Sequence, residues 1–419
     1  MRRITLSLTM CMTIVLAGVS AEAATAPKRT YIVVLKDGTS PPASLTRRNL
    51  TATHIYRHAL LGYAVNLTDS QATSLRAAAE VESVNLSGTT SVGPSLAKKA
   101  DPPPPPQPPQ IVGNAIRRVG GLDSQTAKID GVDDSMPIDI AILDTGIDST
   151  HPDLDVAGGV DCGPGSGWED VDPDGHGTMV AGFAAAVDNA IGVVGVAPGA
   201  RVWSVRVADK RGHIKDSDLI CGIDWVTANS HVIDIANGSL SGDGPDTGNC
   251  GIGATKRDAG PVHQAVCASV ASGVAYFFAA GNESADATLS YPANYDEVVA
   301  VSAISDKDGQ SGGLGGQLNC LPSETDDTFA TYSNFGADVD IAAPGSCISS
   351  TFPGGQYAVS SGTSFATPIV SGAAALYLVN NPNATPADVR SALIALAEPG
   401  PIPGDPDAFP EGVVHVSEL

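Results

Sequence analysis

Four short motifs carry side chains that together could hydrolyse an acyl bond. Asp144 ends the apolar run AILD and is followed by a Thr-Gly turn. His176 stands between two glycines in DGHGTMVAG, and Ser364 opens the small-residue stretch SFATPIVSGAAAL. Asn282 follows the apolar run VAYFFAAG. A serine hydroxyl is a weak nucleophile without an adjacent base, so a serine, a histidine and a carboxylate form a possible catalytic set.

The predicted elements around these residues favour the same chemistry. Ser364 lies at the start of a predicted helix, where free N–H groups and positive partial charge suit an oxyanion. The amide of Asn282, at a predicted strand end, could donate to the same oxyanion. Taken singly, each motif has an ordinary explanation, such as a helix-capping serine or a structural strand-end aspartate. Their combination makes them functional candidates.

The elements that must position these residues alternate between strands and helices after residue 111. Apolar runs predicted as strands lie at residues 138–143, 202–207, 232–236, 274–280 and 297–302, and predicted helices lie at 177–186, 217–229 and 262–272. Such alternation predicts an α/β fold, a three-layer, doubly wound and mainly parallel sheet covered by helices on both faces. Sheets of this kind place active sites at the carboxyl ends of their strands.

With the order Asp, His, Asn, Ser, residues 111–419 resemble the subtilisin-like serine peptidases. The order differs from those of chymotrypsin and the α/β-hydrolases. The resemblance implies that Ser364 is the nucleophile, that His176 is general base and then acid, and that Asp144 holds the imidazole. It also implies an oxyanion hole made by Asn282 and the backbone N–H of Ser364. Phe365 is a departure, because methionine is common after the nucleophile in this family.

The resemblance also places a substrate cleft. Residues 237–242 look like the edge strand that lines the specificity pocket, and residues 212–216 look like the opposite edge, so that a substrate would add a strand between them. The expected substrate-binding residues are Gly212, Gly238, Ser239, Leu240, Ser241 and Ser290. The small residues among them, Gly238, Ser239, Ser241 and Ser290, with Glu283 at the rim, predict an endopeptidase that prefers large uncharged or aromatic side chains before the cleaved bond.

A structural calcium site is a further expectation from the resemblance. Asp153 and Asn189 would give side-chain oxygens, and Val187, Ile191 and Val193 would give backbone carbonyls. Hard oxygen ligands of this kind suit Ca²⁺. A plain helix-to-strand loop is the alternative, and the family's N-terminal ligand has no recognisable counterpart in this sequence.

The chain before residue 111 divides into three predicted parts. Residues 1–23 read as a signal peptide, with two arginines, an apolar stretch and Ala-Glu-Ala, and the apolar stretch is short for a membrane anchor. Residues 24–93, with predicted strands at 31–35 and 63–67 and a helix at 70–80, resemble the family's inhibitory propeptide. Residues 94–110, with five consecutive prolines, are a linker and processing region.

Charge and cysteine content narrow the function further. The net charge is −23, which argues against a nucleic-acid partner. Residues 1–109 carry +5 and the remainder −28, so the two segments could attract each other. Six cysteines remain after the signal, which indicates disulfides in an oxidising compartment. Proximity suggests the pairs Cys250–Cys267, Cys320–Cys347 and Cys162–Cys221, but fifteen pairings are possible.

These observations predict a secreted, extracellular, monomeric serine endopeptidase that processes its own precursor, with proteins or peptides and its own propeptide as partners. A catalytically degenerate binding protein on the same fold is one alternative, although no member of the triad is missing. An aspartic protease is another, because Asp-Thr-Gly occurs at both Asp144 and Asp246. That family needs each triplet after an apolar strand, and Asp246 follows Gly-Asp-Gly-Pro.

Overall fold

A computed structural model describes residues 26–93, 107–164, 172–245, 250 and 260–419. The predicted signal peptide, most of the predicted linker and Asp246 lie outside these residues. Within the described residues, no helix combines the length and the apolar character that crossing a membrane requires.

The segment 26–93 forms a small α+β unit. Its elements in chain order are β1 (Arg29–Leu35), α1 (Pro41–Arg48), β2 (Ala52–Tyr56), β3 (Gly62–Leu67), α2 (Asp69–Arg76), β4 (Val81–Leu86) and β5 (Thr89–Val92). Strands β1 to β4 form an antiparallel sheet in the order β2-β3-β1-β4. Helix α2 starts with a capping box at Thr68 and ends at Arg76, four residues earlier than the sequence predicts.

The remaining described residues build the larger unit. Its first elements are α3 (Asn114–Arg118), β6 (Asp139–Asp144), β7 (Val156–Asp161), α4 (His176–Ala185), β8 (Arg201–Arg206), β9 (His213–Lys215), α5 (Asp216–Ala228), β10 (Ile235–Gly238), β11 (Leu240–Asp243) and α6 (Pro261–Ala271). The later elements are β12 (Ala275–Ala279), a 3-10 turn (Ala287–Leu289), β13 (Ser290–Tyr291), β14 (Val299–Ser305), β15 (Thr328–Phe329), β16 (Ile341–Pro344), β17 (Ile348–Phe352), β18 (Gln356–Ser360), α7 (Thr363–Asn380), α8 (Pro386–Leu396) and β19 (Gly412–Val413).

A nine-stranded sheet is the frame of this unit. Eight strands run parallel in the order β19-β16-β14-β12-β10-β6-β8-β7, and β15 pairs antiparallel with β14. Side chains alternate between the two faces: Ile140 and Ile142 of β6 pack in the core shared with α4 and α7, whereas Leu143 packs in the core shared with α5 and α6. Because both faces are buried, the strands read as continuous apolar runs. The predicted fold class is confirmed.

The three cysteine pairs suggested by proximity are the disulfides of the structure. Cys162–Cys221, Cys250–Cys267 and Cys320–Cys347 have Cα–Cα separations of 5.8, 5.5 and 5.9 Å. These separations lie within the range that a disulfide spans.

Candidate active site

Two of the predicted residues, Asp144 and His176, meet at the carboxyl edge of the sheet. Asp144 is the last residue of β6, which lies between β10 and β8 in the sheet. His176 is the first residue of α4. The Nδ1 atom of His176 lies 2.9 and 3.0 Å from the two carboxylate oxygens of Asp144. Both side chains are fully buried. The aspartate therefore fixes the ring and leaves Nε2 as the nitrogen available to another group.

The glycine after His176 permits this approach. A Cβ on Gly177 would lie 2.1 Å from the carbonyl oxygen of Gly146, so any side chain would push α4 away from the end of β6. The buried carboxylate of Asp172 holds the same loop. It accepts hydrogen bonds from Thr145 Oγ1 at 2.7 Å and from Thr178 Oγ1 at 2.6 Å, and thereby ties the turn after β6 to the first turn of α4.

The electrostatics of His176 suit a general base. Burial alone would lower the pKa of this imidazole, but the charge and hydrogen bond of Asp144 outweigh burial and raise the pKa above its ordinary value. Within the described residues, the buried Nε2 atom has no hydrogen-bond partner. The ring borders one cavity together with Ser364 and Asn282, so the free nitrogen belongs to the same site as the predicted nucleophile.

Ser364 and Asn282 are oriented by the start of α7. The Oδ1 atom of Asn282 accepts from the N–H of Thr363 at 2.8 Å and from its hydroxyl at 3.1 Å. These bonds fix the amide so that Nδ2 is the free end. A Cβ built on Gly93 would lie 3.0 Å from that Nδ2 and 3.3 Å from Ser364 Oγ, so the amide donor and the serine hydroxyl face the same backbone.

A buried polar chain supports the serine from below. Ser371 Oγ donates to Asn237 Oδ1 at 2.9 Å, and Asn237 Nδ2 donates to Ser239 Oγ at 2.9 Å. Ser239 Oγ in turn donates to the carbonyl oxygen of Ser364 at 2.6 Å. The chain links the end of β10 to the first and third turns of α7, which keeps Ser364 in register with the sheet.

Strand β5 of the N-terminal unit occupies the predicted cleft. It pairs antiparallel with β11 on one side and with β9 on the other, in the order β13-β11-β5-β9. Val92 lies opposite Leu240 and donates its N–H to the Gly212 carbonyl at 3.0 Å. The strand therefore leads Gly93 to the serine in the way an extended substrate would.

The residues expected to bind substrate divide into two groups. Leu240 and Ser241 pair with β5, and Gly212 contacts it through its carbonyl. Ser290 lines the same cleft. Gly238 instead ends β10 of the central sheet, and the Ser239 hydroxyl donates to the carbonyl oxygen of Ser364 at the start of α7.

Comparisons with known proteins give this arrangement a family. The sequence profile described as "Subtilase family" matches residues 137–412, which is more than half of the chain. The chain belongs to the subtilase family. A second profile, described as "Peptidase inhibitor I9", matches residues 30–91. The resemblance stated from the motifs is confirmed for both segments.

Proteins similar to this subtilase include several subtilisins and a solved subtilisin-like proteinase. Subtilisin NAT from Bacillus subtilis subsp. natto is 38% identical over 263 residues, which cover 62% of this chain and 60% of that protein. Subtilisin DY from Bacillus licheniformis is 34% identical over 282 residues, which cover 67% of this chain and 89% of that protein. The crystal structure of a cold-adapted subtilisin-like serine proteinase matches with a TM-score of 0.54 at 29% identity and covers 68% of this chain and 91% of that one.

The N-terminal unit of the subtilase contacts helix α5 as well as the cleft. The carboxylate of Asp224 accepts hydrogen bonds from three successive backbone N–H groups, those of Arg57, His58 and Ala59, at 2.6 to 3.1 Å. Tyr56 Oη donates to the carbonyl oxygen of Ser217 at 2.9 Å. The Asp224 carboxylate thus accepts the backbone N–H groups of the turn after β2. An acidic residue of the larger unit, whose segment is negatively charged overall, therefore binds the N-terminal segment, whose net charge is positive.

The loop expected to bind calcium has most of the predicted donors. Asp153 is fully buried, and burial raises the pKa of its carboxyl. Within the described residues, the carbonyls of Val187, Ile191 and Val193 accept no hydrogen bond. The intervening carbonyls of Ala190 and Gly192 accept from backbone N–H groups of the segment before α3. Asn189 differs from the expectation, because its Oδ1 accepts from the Ile191 N–H at 2.7 Å and its Nδ2 donates to Asp153 at 2.8 Å.

Four features of the site were not singled out from the sequence. Asp172 stands two residues before the Asp-Gly-His motif, so a second acidic residue close to the motif could have indicated it. Gln110, inside the predicted linker, accepts from the Asn189 N–H at 2.6 Å and braces the loop that is expected to bind calcium. The other two features are the hydrogen bond between Asn237 and Ser371 and the contact of Asp216 with the residue before β5. Each joins residues far apart in sequence, so no local pattern indicated it.

Proposed function

We propose that this protein is a secreted serine endopeptidase, made as a precursor that cleaves itself. The observation that carries the proposal is strand β5, which lies between β9 and β11 as a substrate strand and brings Gly93 next to Ser364 and Asn282. A binding protein without catalysis has no need of the paired Asp144 and His176 behind that contact.

The mechanism follows from the geometry. Ser364 Oγ attacks the carbonyl carbon of the substrate, and its proton passes to the free Nε2 of His176. Asp144 stabilises the imidazolium that forms, while Asn282 Nδ2 and the Ser364 N–H donate to the oxyanion. His176 then gives the proton to the leaving amine as the bond between carbon and nitrogen breaks. A water molecule next attacks the acyl carbon and gives a proton to His176, which returns it to Ser364 Oγ as the acid product leaves.

The proposed domain organisation assigns a role to each segment. Residues 1–23 direct secretion, residues 24–93 act as intramolecular chaperone and inhibitor, and residues 111–419 are the peptidase, which acts as a monomer. Residues 94–110 contain the segment released by processing. Because Gly93 faces the serine, the first cut falls on its carboxyl side, and the severed β5 would remain in the cleft as an inhibitor.

Calcium is proposed as a structural ion of the peptidase. Asp153 and the carbonyls of Val187, Ile191 and Val193 would hold it, and Asn189 would join them after its amide turns to present oxygen. Bound there, Ca²⁺ would neutralise a buried carboxylate and brace the loop without entering the reaction. Gln110 lies against this loop and is the candidate for a ligand from the segment before α3.

Serine-directed chemistry tests the proposal. A serine-directed reagent is expected to label Ser364 and to abolish hydrolysis of protein substrates. Ser364→Ala should reduce kcat by roughly the 10⁶-fold known for triad removal in subtilisin, and Asn282→Ala by about 10²–10³-fold, as for loss of the corresponding donor there. Appreciable turnover by Ser364→Ala would refute the assignment of the nucleophile. Sensitivity to inhibitors of aspartic proteases would favour that alternative instead.

A further inference from the structure

The two walls of the cleft are joined by a hydrogen bond above β5. Asp216, the first residue of α5, stands on the wall formed by β9, and Tyr291 of β13 stands on the wall formed by β11. Tyr291 Oη donates to Asp216 Oδ1 at 3.0 Å. The aspartate carboxylate lies at the start of a helix, where the helix dipole favours a negative charge.

Asp216 holds the residue just before β5 through two hydrogen bonds. Gly88 donates its N–H to Asp216 Oδ2 at 2.9 Å, and the Asp216 N–H donates to the Gly88 carbonyl oxygen at 3.2 Å. Counting back from Gly93 as the first position, Val92 is second, Thr90 fourth and Gly88 sixth. The contact therefore lies beyond the β5 residues that pair with β9 and β11.

The space at this position leaves no room for a side chain unless Asp216 moves. A Cβ on Gly88 would lie 2.7 Å from Asp216 Oδ2 and 3.3 Å from Tyr291 Oη, and real Cβ atoms essentially never come within 3.0 Å of another heavy atom. Gly88 does not have a positive φ angle, so the restriction comes from space and not from backbone conformation. A side chain there would displace the carboxylate and break its bond to the strand N–H or to Tyr291.

We propose that Asp216 and Tyr291 form a binding subsite for the sixth substrate residue before the cleaved bond, and that this subsite selects glycine. The inference rests on the proposed endopeptidase function and extends it to the substrate class. Favoured substrates are extended segments with glycine at the sixth position, and shorter peptides forgo the bond to the carboxylate.

Peptides that copy the strand test the subsite on the processed enzyme. The substrates are N-acetylated Gly-Thr-Thr-Ser-Val-Gly joined to a fluorogenic amine, the same peptide with alanine at the sixth position, and the tetrapeptide Thr-Ser-Val-Gly. Because a hydrogen bond to a charged group contributes about 1.5–3 kcal/mol, the glycine hexapeptide should exceed the alanine hexapeptide in kcat/KM by about tenfold or more. The preference is a ratio measured within one enzyme, so differences in the active fraction cancel.

Variants of the subsite should remove this preference. Asp216→Ala makes room for a methyl group and removes the acceptor, so the two hexapeptides should be cleaved at similar rates. Tyr291→Phe releases the carboxylate to move, so the preference should fall, and this variant serves if Asp216→Ala does not mature. Asp123→Ala, an exposed acidic residue away from the cleft, should keep the preference of the wild type.

Three results would overturn the inference. One is equal cleavage of the two hexapeptides by the wild type while the tetrapeptide is cleaved, which leaves the proposed function intact. Another is a glycine preference that persists in both Asp216→Ala and Tyr291→Phe. The third is no cleavage of any peptide by an enzyme that still hydrolyses protein substrates, which would remove the subsite and leave the proposed function. Loss of both activities would remove both.

Discussion

A substrate with valine at the fourth position before the cleaved bond should bind more tightly than one with threonine, the residue that this chain has there as Thr90. Thr90 is 3% exposed, and its hydroxyl has no hydrogen-bond partner within the described residues. Burying an unpaired hydroxyl costs about 1–3 kcal/mol, and valine has nearly the same shape without that group. At 1.4 kcal/mol per factor of ten, a Thr-to-Val change at this position should tighten binding about 5- to 150-fold.

The hexapeptide substrates provide the assay. Gly-Thr-Val-Ser-Val-Gly is compared with Gly-Thr-Thr-Ser-Val-Gly, and the gain should appear in KM, because the side chain is remote from the reacting carbonyl. The control is valine in place of Thr89, which is exposed and should change little. Weaker or equal binding of the fourth-position valine would show that the hydroxyl has a partner when substrate binds, and the reasoning from burial would be wrong.

Four further predictions concern the rest of the molecule. Because the pKa of His176 is raised, kcat/KM should fall on acidification with a midpoint above about 6.5, the ordinary histidine value, and a midpoint below it would contradict the electrostatic argument. Burial raises the pKa of Glu411 to about 7, so the folded state loses stability as the pH rises from about 4.5 to 7. Glu411→Gln should therefore raise Tm more at pH 8 than at pH 5, and equal shifts would count against a buried proton. A calcium chelator should lower Tm in the wild type but not further in Asp153→Asn, and an unchanged wild-type Tm would argue against the ion. Phe365 packs on the His176 ring with centroids 5.1 Å apart and has no sulfur to oxidise. Activity should therefore survive mild peroxide that inactivates Phe365→Met, and equal loss in both would shift suspicion to Met179.

The sequence predicted the parts of the site that depend on local chemistry. Asp144, His176 and Ser364 lie at strand ends and helix starts whose apolar runs and glycines are visible within ten residues. Strand β10 was placed less well, because the predicted run began at residue 232. The N–H groups of Val232 and Ile233 both bond to the Asn229 carbonyl in a turn after α5, so the strand starts only at Ile235.

Contacts between distant residues could not be predicted in the same way. Gly88 and Asp216 are 128 positions apart, and Asn237 and Ser371 are 134 apart. Each pairs only because the sheet and the docked N-terminal unit bring their elements together. The amide orientation of Asn189 was also beyond the sequence, since it depends on which neighbouring N–H groups reach its oxygen.

The fate of the precursor tests the central claim most directly. The full chain and its Ser364→Ala variant would be produced in parallel, and the intact masses and N-terminal residues of their products determined. The account predicts that the wild type separates into two chains with a first cut after Gly93, while Ser364→Ala stays whole. Cleavage of the Ser364→Ala chain at the same bond under its own power would contradict it.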